Sequence, residues 1–556
     1  MHTNPRTYIV SQNHPLASDE APGTEDRPLR TIARAAALAH PGDTVLVREG
    51  VYRERVSPAR GGEPENPIRY AAVAGEEVVV KGSDIFSPRW ERVNGNENIR
   101  SAPLDSEMFG EFHPFRIAAK RMPAGKTLGQ VFVDGEHLSE VTSDGELAAL
   151  PGTWKTYGDS LFIHFPTSRT PVERCLVEIS VRERLFAPEL RGLGHIEVRG
   201  FVFEHCANQF PSGFWDPNGS PQAGAVGCGG GHHWVIEHNI IRWVKSIGID
   251  CGVGGPGLDV RHDDPSSPGW HLIQHNRLSD CGACGIAGAG QRNTKILYNH
   301  IERTNNLGWS APETGGIKVH YFHDGLIEGN VLLDNECAGI WLDNVWYGSR
   351  VTRNVILNSS GCGIFVEMGD GPCLVDNNIV AFTNCGEGIY LHDSSGVTIA
   401  HNLLYCNAHF GVYARIVTER QATTSRGTRE TVGCGNLKIL NNLFVDNYRG
   451  AICLPPESDR AGGNVSDYNL FLGGSQWQWE GLAFHRFVLG TNDKRIPVAE
   501  LGNLLRNTLK ENRVPEAQWP NIGIWESEPY LTLDLWRMLT GHDLHSIAPE
   551  VHTGVV

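Results

Sequence analysis

The sequence has little positive charge and no long apolar segment. Lys and Arg together number 48 against 64 Asp and Glu, which gives a formal net charge of −16. This balance argues against a nucleic acid or an anionic membrane as a partner, and more weakly against a polyanionic sugar. No run of about 18 apolar residues predicts a membrane span, and the N-terminal segment lacks the basic and apolar regions of a secretory signal. We therefore expect a cytoplasmic protein.

The sequence also lacks the cysteine pattern of a disulfide framework or a metal site. Its 13 cysteines are an odd number, and most precede or enter short apolar runs, as small buried thiols do. The CxxC motif at residues 281–284 has no second pair to complete a metal site. The string GGGHHW at residues 229–234 resembles a metal site in composition, but adjacent residues of a strand point to opposite faces. We expect no metal site and no cofactor, with a structural calcium ion left open.

What the sequence does have is glycine, asparagine and an internal repeat. A string of apolar residues, one Asn and a second apolar pair recurs eight times, and three consecutive steps between these asparagines are 24 residues long. A second string, beginning with Gly and Ile or Val, recurs out of phase with the first. Two short strands in so short a period predict a right-handed parallel β-helix. The asparagines, which we expect to form an internal hydrogen-bonded ladder, are Asn239, Asn276, Asn299, Asn330, Asn354, Asn378, Asn402 and Asn442.

The remaining segments predict an all-β chain with a cap, an insertion and a closing region. Residues 1–100 contain an amphipathic capping helix and the first turns of the β-helix. Residues 101–185 read as alternating antiparallel strands with Asp-Gly turns, which predicts an inserted β-sandwich. Residues 186–475 form the main β-helix with the catalytic face, and residues 476–556 close its C-terminal end.

Two of the repeated strings carry a carboxylate at the same place. In GIWLDN (residues 339–344) and GIFVEM (residues 363–368), strand alternation directs Asp343 and Glu367 away from the core. Because they are one turn apart, the two side chains should lie above one another, about 4.8 Å apart. That spacing matches the roughly 5–5.5 Å of a retaining glycosidase rather than the 6.5–9.5 Å of an inverting one. Mutual repulsion would raise one carboxyl pKa and leave the other group ionised.

The two carboxylates belong to a longer outward stripe of ionisable and aromatic residues. Charged groups can bind sugar hydroxyls, and aromatic rings can stack on sugar faces. A ladder of polar residues that are merely solvated is the alternative, and inserted loops could also cover the aromatic rings. The first predicted column is His320, Asp343, Glu367, His392 and Arg415, and the second is Lys318, Trp341, Phe365, Tyr390 and Tyr413.

Several strings resemble one enzyme family. ETGGIKVH, AGIWLDN, GSRVTRNVILN and IFVEMGDGPCLVDNNI together resemble glycoside hydrolase family 120, β-xylosidases with a right-handed β-helix interrupted by a β-sandwich. GDTVLVREGVYRE and FGEFHPF are similar to the N-terminal half of that family. The resemblance covers most of residues 5–405 and is most specific around residues 313–380.

The resemblance implies roles that the column geometry, being symmetric, leaves open. Asp343 matches the family's nucleophile and Glu367 its acid/base. Glu313 and His320 match residues that surround the sugar at the cleavage site. An inserted loop would place Trp309 beside them.

The chain departs from the family pattern at two positions. Asn344 stands where the family has Trp, and Pro312 stands where it has His. Both positions adjoin the predicted sugar site, so the departures bear on which sugar is accepted. The complete set of predicted substrate-binding residues is Glu313, His320, Lys318, Trp341, His392, Trp309, Asn344 and Arg415.

These observations predict a retaining exo-glycosidase that releases a monosaccharide from small neutral oligosaccharides or glycosides, with β-xylosides implied by the resemblance. A polysaccharide lyase of the same fold is an alternative, with Lys318, His320, His392 or Arg415 as base or uronate-binding group. A non-enzymatic carbohydrate-binding β-helix is another. We expect no nucleic-acid or membrane partner, and a homo-oligomer is left open.

Overall fold

The computed structural model divides the chain into two compact units, which are described separately. The N-terminal unit comprises residues 1–291 and 303–314, and the C-terminal unit comprises residues 292–302 and 315–556. The structure describes residues 4–93, 96, 98–166, 171–213, 222–252, 268–308, 313–344, 346–417, 420–424, 428–473, 487–489, 503, 506–507, 510–511, 515, 523–525 and 528–549.

The N-terminal unit contains 23 described strands and two short α-helices. The helices are α1 (Ile32–Leu38) and α2 (Asp144–Ala149), and single 3-10 turns lie at Ser106–Met108, Pro114–Arg116 and Val172–Arg174. The strands are β1 (Thr7–Val10), β2 (Thr44–Val47), β3 (Gly50–Tyr52), β4 (Ile68–Ala72), β5 (Val78–Lys81), β6 (Ser83–Ile85), β7 (Glu91–Arg92), β8 (Ile99–Pro103), β9 (Val131–Val133), β10 (Glu136–His137), β11 (Ser139–Glu140), β12 (Thr153–Tyr157), β13 (Ser160–His164), β14 (Val177–Ser180), β15 (Ile196–Arg199), β16 (Val202–Glu204), β17 (Gly224–Gly227), β18 (Val235–Glu237), β19 (Ile240–Val244), β20 (Ile247–Asp250), β21 (Leu272–Gln274), β22 (Arg277–Cys281) and β23 (Cys284–Arg292).

Most of these strands wind into a right-handed parallel β-helix, as predicted. Its three parallel sheets have the orders β1-β2-β4-β15-β18-β21, β3-β5-β16-β19-β22 and β17-β20-β23. The predicted capping helix is α1, which begins after Thr31, whose side chain accepts a hydrogen bond from the Arg34 amide. Ile32, Ala35 and Ala36 form its buried face, so the helix covers apolar residues of the first turns.

The predicted β-sandwich insertion is present and begins earlier than residue 101. Strands β6 to β14 form two small sheets, with orders β10-β9-β14-β6 and β11-β12-β13-β8-β7, and nearly all their pairings are antiparallel. Trp154, which is fully buried, and Phe115 pack edge to face in the core between them. The antiparallel region therefore extends from Ser83 to Ser180.

The C-terminal unit contains 25 described strands and the helix α3 (Leu533–Thr540), and residues 503, 506–507 and 510–511 are also helical. The strands are β24 (Lys295–Leu297), β25 (His300–Glu302), β26 (Gly315–His323), β27 (Leu326–Glu328), β28 (Val331–Leu333), β29 (Ile340–Asp343), β30 (Ser349–Thr352), β31 (Val355–Leu357), β32 (Ile364–Gly369), β33 (Cys373–Asp376), β34 (Ile379–Ala381), β35 (Ile389–Ser394), β36 (Val397–Ala400), β37 (Leu403–Tyr405), β38 (Phe410–Arg415), β39 (Gln421–Thr423), β40 (Arg429–Thr431), β41 (Lys438–Leu440), β42 (Leu443–Val445), β43 (Gly450–Leu454), β44 (Val465–Asp467), β45 (Leu470–Leu472), β46 (Phe487–Leu489), β47 (Gly523–Trp525) and β48 (Glu528–Tyr530).

Three strands make up each turn, or rung, of this unit. The three parallel sheets are β24-β27-β30-β33-β36-β41-β44, β25-β28-β31-β34-β37-β42-β45 and β26-β29-β32-β35-β38-β43-β46. The hairpin β39–β40 is antiparallel and lies outside these sheets. Among the described residues, no helix is long and apolar enough to cross a membrane.

The predicted asparagine ladder runs along the inside of the C-terminal unit. The backbone amide of Asn330 donates to Oδ1 of Asn354, and the amide of Asn354 donates to Oδ1 of Asn378, at 2.9 and 3.0 Å. Each side-chain amide also donates to the next asparagine, so the buried amides of successive rungs satisfy one another. Ser546 and Asp543, which follow α3, bind Asn469 at the last rung. The ladder is confirmed, and its C-terminal end is closed by this contact.

Candidate active site

The third sheet of the C-terminal unit aligns the ionisable residues in the predicted register. His320 pairs with Asp343, and Glu367 pairs with His392, which in turn pairs with Arg415. Between them, β29 and β32 are paired up to Leu342 and Val366, so the two carboxylates follow one residue later on adjacent rungs. The predicted column is therefore confirmed as an alignment of strands.

Three of the five column residues are buried and His392 and Arg415 are half-buried, so the alternative of a merely solvated polar ladder is wrong for the two carboxylates. Asp343 and Glu367 are 6% and 7% exposed, and Lys318 and His320 are 0% and 1% exposed. Ionised groups lose hydration when they are buried, and they need a close partner of opposite charge. Each of the two carboxylates has such a partner, and the two partners come from different parts of the fold.

Asp343 is held at one of its two carboxylate oxygens. The Lys318 ammonium donates to Oδ2 at 2.8 Å, and Nδ1 of His320 lies 3.4 Å from the same atom. The same ammonium lies 2.9 Å from the centre of the Trp341 ring, a cation–π contact that fixes the lysine. Within the described part of the chain, Oδ1 of Asp343 has no hydrogen-bond partner. The carboxylate is therefore oriented through one oxygen, while its other oxygen is buried and accepts no hydrogen bond from the described residues.

Glu367 is held by a guanidinium that the sequence did not predict at the site. Nη2 of Arg420 donates to Oε1 at 2.6 Å, and Nδ1 of His392 lies 3.3 Å from that oxygen. The Trp346 indole donates to the Glu367 carbonyl oxygen at 2.9 Å and fixes the strand. Burial opposes ionisation of Glu367, but the His392 hydrogen bond and the charges of Lys318 and Arg420 outweigh it and lower its pKa to about 2. The expected effect of repulsion, a raised pKa, is not found at this residue.

Arg420 reaches the column from an inserted hairpin. It precedes β39, and the hairpin β39–β40 occupies the long step between β38 and β41. Ala422 and Val432 pack against Met368, the neighbour of Glu367, in a small apolar cluster. The 40-residue step from Asn402 to Asn442 was the one sequence signal of this insertion. Nothing in the repeat itself indicates that Arg420, which lies at the start of this insertion, contacts the Glu367 carboxylate.

The aromatic column is also in the predicted register, but its rings stack mainly on one another. Trp341 and Phe365 have ring centres 4.6 Å apart, and Tyr390 follows at 4.7 Å from Phe365. Tyr413 is 5.5 Å from Tyr390 and is buried. Arg415 donates to the Tyr390 hydroxyl at 3.2 Å, so this guanidinium contacts the aromatic column. The first three rings are partly exposed and can still present an edge to a sugar.

The remaining predicted residues divide between the two units. Asn344 directly follows Asp343 with a φ of 44°, and its carbonyl oxygen accepts from the Tyr321 amide. Glu313 belongs to the N-terminal unit, where it is buried and its Oε2 accepts a hydrogen bond from Gln222 at 3.5 Å. The predicted positions of Trp309 and Pro312 lie outside the described residues. The assigned roles of these residues stay predictions.

The structure corrects the reasoning on the GGGHHW string. His232 and His233 do not alternate across a strand, because His233 has a φ of 55° and the chain turns there before β18. Their Nδ1 atoms are 2.9 Å apart instead of pointing to opposite faces. The argument used against a metal site at this position was therefore wrong.

Two family models and one curated relative match parts of the chain. The NosD model, described as periplasmic copper-binding protein, matches residues 299–453, and DUF1565, a protein of unknown function, matches residues 17–59. Uncharacterized protein YwoF of Bacillus subtilis (strain 168) is 35% identical over 77 residues. The match spans 14% of this chain and 16% of that relative's own length.

Solved structures are similar over most of the chain. The complex of XylC with xylose has a TM-score of 0.70 and 26% identity, covering 84% of this chain and 83% of that chain. A protein described as a glycoside hydrolase has a TM-score of 0.52 and 13% identity, and the match covers 84% of this chain and 97% of that chain. At this identity the similarity supports the fold alone. Fold and neighbours together define a carbohydrate-active β-helix protein that resembles glycoside hydrolases.

Proposed function

We propose that the protein is a retaining exo-glycosidase for small neutral oligosaccharides and that β-xylosides are its substrates. One observation carries the proposal: two buried carboxylates occupy adjacent rungs, and one of them has a cation on Oδ2 and no partner among the described residues on Oδ1. A nucleophilic carboxylate needs a fixed cation beside it and a lone pair that no other group binds. The similarity to XylC, which was solved with xylose, supports the choice of sugar.

In the proposed reaction Asp343 is the nucleophile and Glu367 the acid/base. Oδ1 of Asp343 attacks the anomeric carbon while the Glu367 carboxyl protonates the departing glycosidic oxygen, which leaves a glycosyl ester on Asp343. Glu367, now ionised, takes a proton from water, and the resulting oxygen attacks the same carbon and releases Asp343. The Lys318 ammonium, which binds Oδ2, stabilises the negative charge of Asp343 when it departs as a leaving group.

Glu367 must be protonated for the first step, whereas the ion pair with Arg420 favours its ionised form. We infer that the sugar separates the Arg420 guanidinium from Glu367 on binding. Loss of that charge raises the pKa of the carboxyl toward the operating pH. Arg420 precedes a hairpin that lies outside the stacked sheets, so it can move without disturbing the rungs.

A polysaccharide lyase is less well supported by the same contacts. A lyase must neutralise a uronate carboxylate with a protein cation or a metal ion. Lys318 and Arg420 are already paired with Asp343 and Glu367 at 2.8 and 2.6 Å. Ultraviolet absorbance of the products distinguishes the two reactions, because elimination creates an unsaturated sugar and hydrolysis does not.

A panel of aryl glycosides tests the proposal on wild type, Asp343→Asn and Glu367→Gln. We expect the aryl β-xyloside to be the best substrate and kcat to fall about 1,000-fold or more in Asp343→Asn. Glu367→Gln should lose less on substrates with good leaving groups, because these need little protonation. Asp376→Asn is a matched control, since that buried carboxylate binds Arg350 on a neighbouring sheet. Full activity in both site variants would show that the assignment is wrong, and no turnover of any glycoside would favour a binding protein.

A further inference from the structure

Three histidines of the N-terminal unit lie close enough together to be metal ligands. One ring nitrogen from each of His195, His232 and His233 can be chosen so that all three lie within 4.8 Å of one another. The Nδ1 atoms of His232 and His233 are 2.9 Å apart. Zinc–nitrogen bonds to imidazole are about 2.0–2.1 Å long. With an N–Zn–N angle of about 90–110°, the two nitrogens that bind the same ion lie about 2.9–3.4 Å apart. The observed pair is already at the short end of that range.

Stacked rungs hold the three residues together. His195 precedes β15, and its amide donates to the His232 carbonyl oxygen on the next rung at 3.0 Å. His233 precedes β18, and its amide donates to the Gly269 carbonyl oxygen of the following rung. Gly194 leaves room for the His232 ring, because a Cβ there would lie 2.2 Å from it. The backbone therefore places histidines from two rungs at one corner of the unit.

The arrangement differs from a plain stack of rings. His195, His233 and Trp270 form such a stack, with ring centres 4.6 and 5.4 Å apart. The His232 ring stands at 85° and 90° to its two histidine neighbours and directs a nitrogen at His233. This approach forms a hydrogen bond between the two Nδ1 atoms, and a metal ion would replace the shared proton.

We propose that His195, His232 and His233 bind a divalent transition-metal ion of borderline softness, such as Zn²⁺. Three imidazoles suit zinc, copper and nickel better than magnesium or calcium. Binding would require the His195 and His233 rings, which are stacked at 4.6 Å, to rotate so that each directs a nitrogen at the ion.

Such an ion would join two successive rungs by side chains as well as by backbone hydrogen bonds. An ion that binds the folded form alone shifts the unfolding equilibrium toward it. We therefore expect saturating Zn²⁺ to raise the melting temperature of the full chain by about 2 °C or more. The site lies in the N-terminal unit, whereas the proposed nucleophile and acid/base lie in the C-terminal unit, so its test is independent of glycosidase activity.

Calorimetric titration of the full, untagged chain with ZnCl₂ tests the proposal. Cys385, an exposed thiol, is replaced by Ser in every variant so that it does not bind the ion. We expect one ion per chain, and at least about tenfold weaker binding in His232→Ala and in His195→Ala, which lie on different rungs. His238→Ala is the control, because His238 stacks on His275 at 5.1 Å in the same unit. It should bind and be stabilised like the parent.

Circular dichroism tests whether each variant is folded. If His232→Ala does not fold, His232→Gln is used in its place. No binding by the folded parent would overturn the proposal. So would parent-like affinity in both His195 and His232 variants, because the zinc would then occupy other groups. Loss of the melting shift in those two variants, with retention in His238→Ala, would support the proposal.

Discussion

At the scale of single residues, the two carboxylates of the column differ in what holds them. Asp343 is bound by Lys318, a residue of the preceding rung of the same sheet. Glu367 is bound by Arg420, which comes from the inserted hairpin. The first partner is fixed by backbone pairing, and the second depends on a loop. This difference supports the proposed roles of Asp343 as nucleophile and Glu367 as acid/base.

Replacing Arg420 with Met should shift the pH dependence of the enzyme to higher pH. Because the Arg420 charge lowers the pKa of Glu367, its removal raises that pKa. A general acid must be protonated, so the alkaline limb of kcat/KM against pH should move up by about one unit or more. Arg353→Met is the matched control, since Arg353 is exposed and pairs with Glu328 on a different sheet. An unchanged or lowered alkaline limb in Arg420→Met, measured on an aryl β-xyloside, would contradict Glu367 as the acid.

Some of these residues could be predicted from the sequence, and others could not. Asp343 and Glu367 are set by the period of the repeat, because equal spacing in the chain becomes vertical stacking in the fold. Arg420 has no counterpart in neighbouring rungs, so periodicity carries no information about it. The burial of Lys318 was also missed, because strand alternation gives the face of a side chain but not the loops that cover it.

At the scale of elements, the asparagine ladder supplies the inner polar framework of the C-terminal unit. Its members are fully paired with the rungs on both sides and with backbone carbonyl oxygens. The sequence predicted these contacts because the Asn recurs at a fixed place between two apolar pairs. It did not predict how the ladder ends, since Asp543 and Ser546 lie far beyond the last repeat.

Asn354→Ala should destabilise the unit, because it removes a rung from the middle of this ladder. The Asn330 amide and side chain would both lose their acceptor, Oδ1 of Asn354. Each buried polar group left unpaired costs about 1–3 kcal/mol, so we expect a loss of at least about 2 kcal/mol in the free energy of unfolding. Chemical denaturation of the variant measures this loss. Asn384→Ala, at an exposed asparagine, should change it by less than about 0.5 kcal/mol, and equal effects in both variants would contradict a structural role for the ladder.

At the scale of the whole molecule, the net charge of −16 bears on substrate choice. A negative surface potential repels anionic ligands over distances set by ionic strength, about 10 Å at 0.1 M salt. Neutral glycosides experience no such repulsion. The overall charge therefore favours neutral over uronate-containing substrates.

The salt dependence of kcat/KM should reveal this effect. Between low salt and about 0.15 M, the value for a neutral aryl β-xyloside should stay nearly constant, because there is no charge to screen. The value for the corresponding aryl β-glucuronide should be lower at every salt concentration and should rise as salt increases. A glucuronide that is preferred at low salt would contradict this prediction and would favour a site built for acidic sugars.

The placement of the β39–β40 hairpin has a consequence for how such a protein can diverge. Backbone pairing between rungs fixes Asp343 against Glu367 without help from any connecting segment, so a long excursion between β38 and β41 leaves that alignment intact. The strands that carry the two carboxylates and the hairpin that covers them can therefore change independently in sequence. A different excursion at this corner would change the group that binds Glu367 while leaving the stacking of the two strands in place.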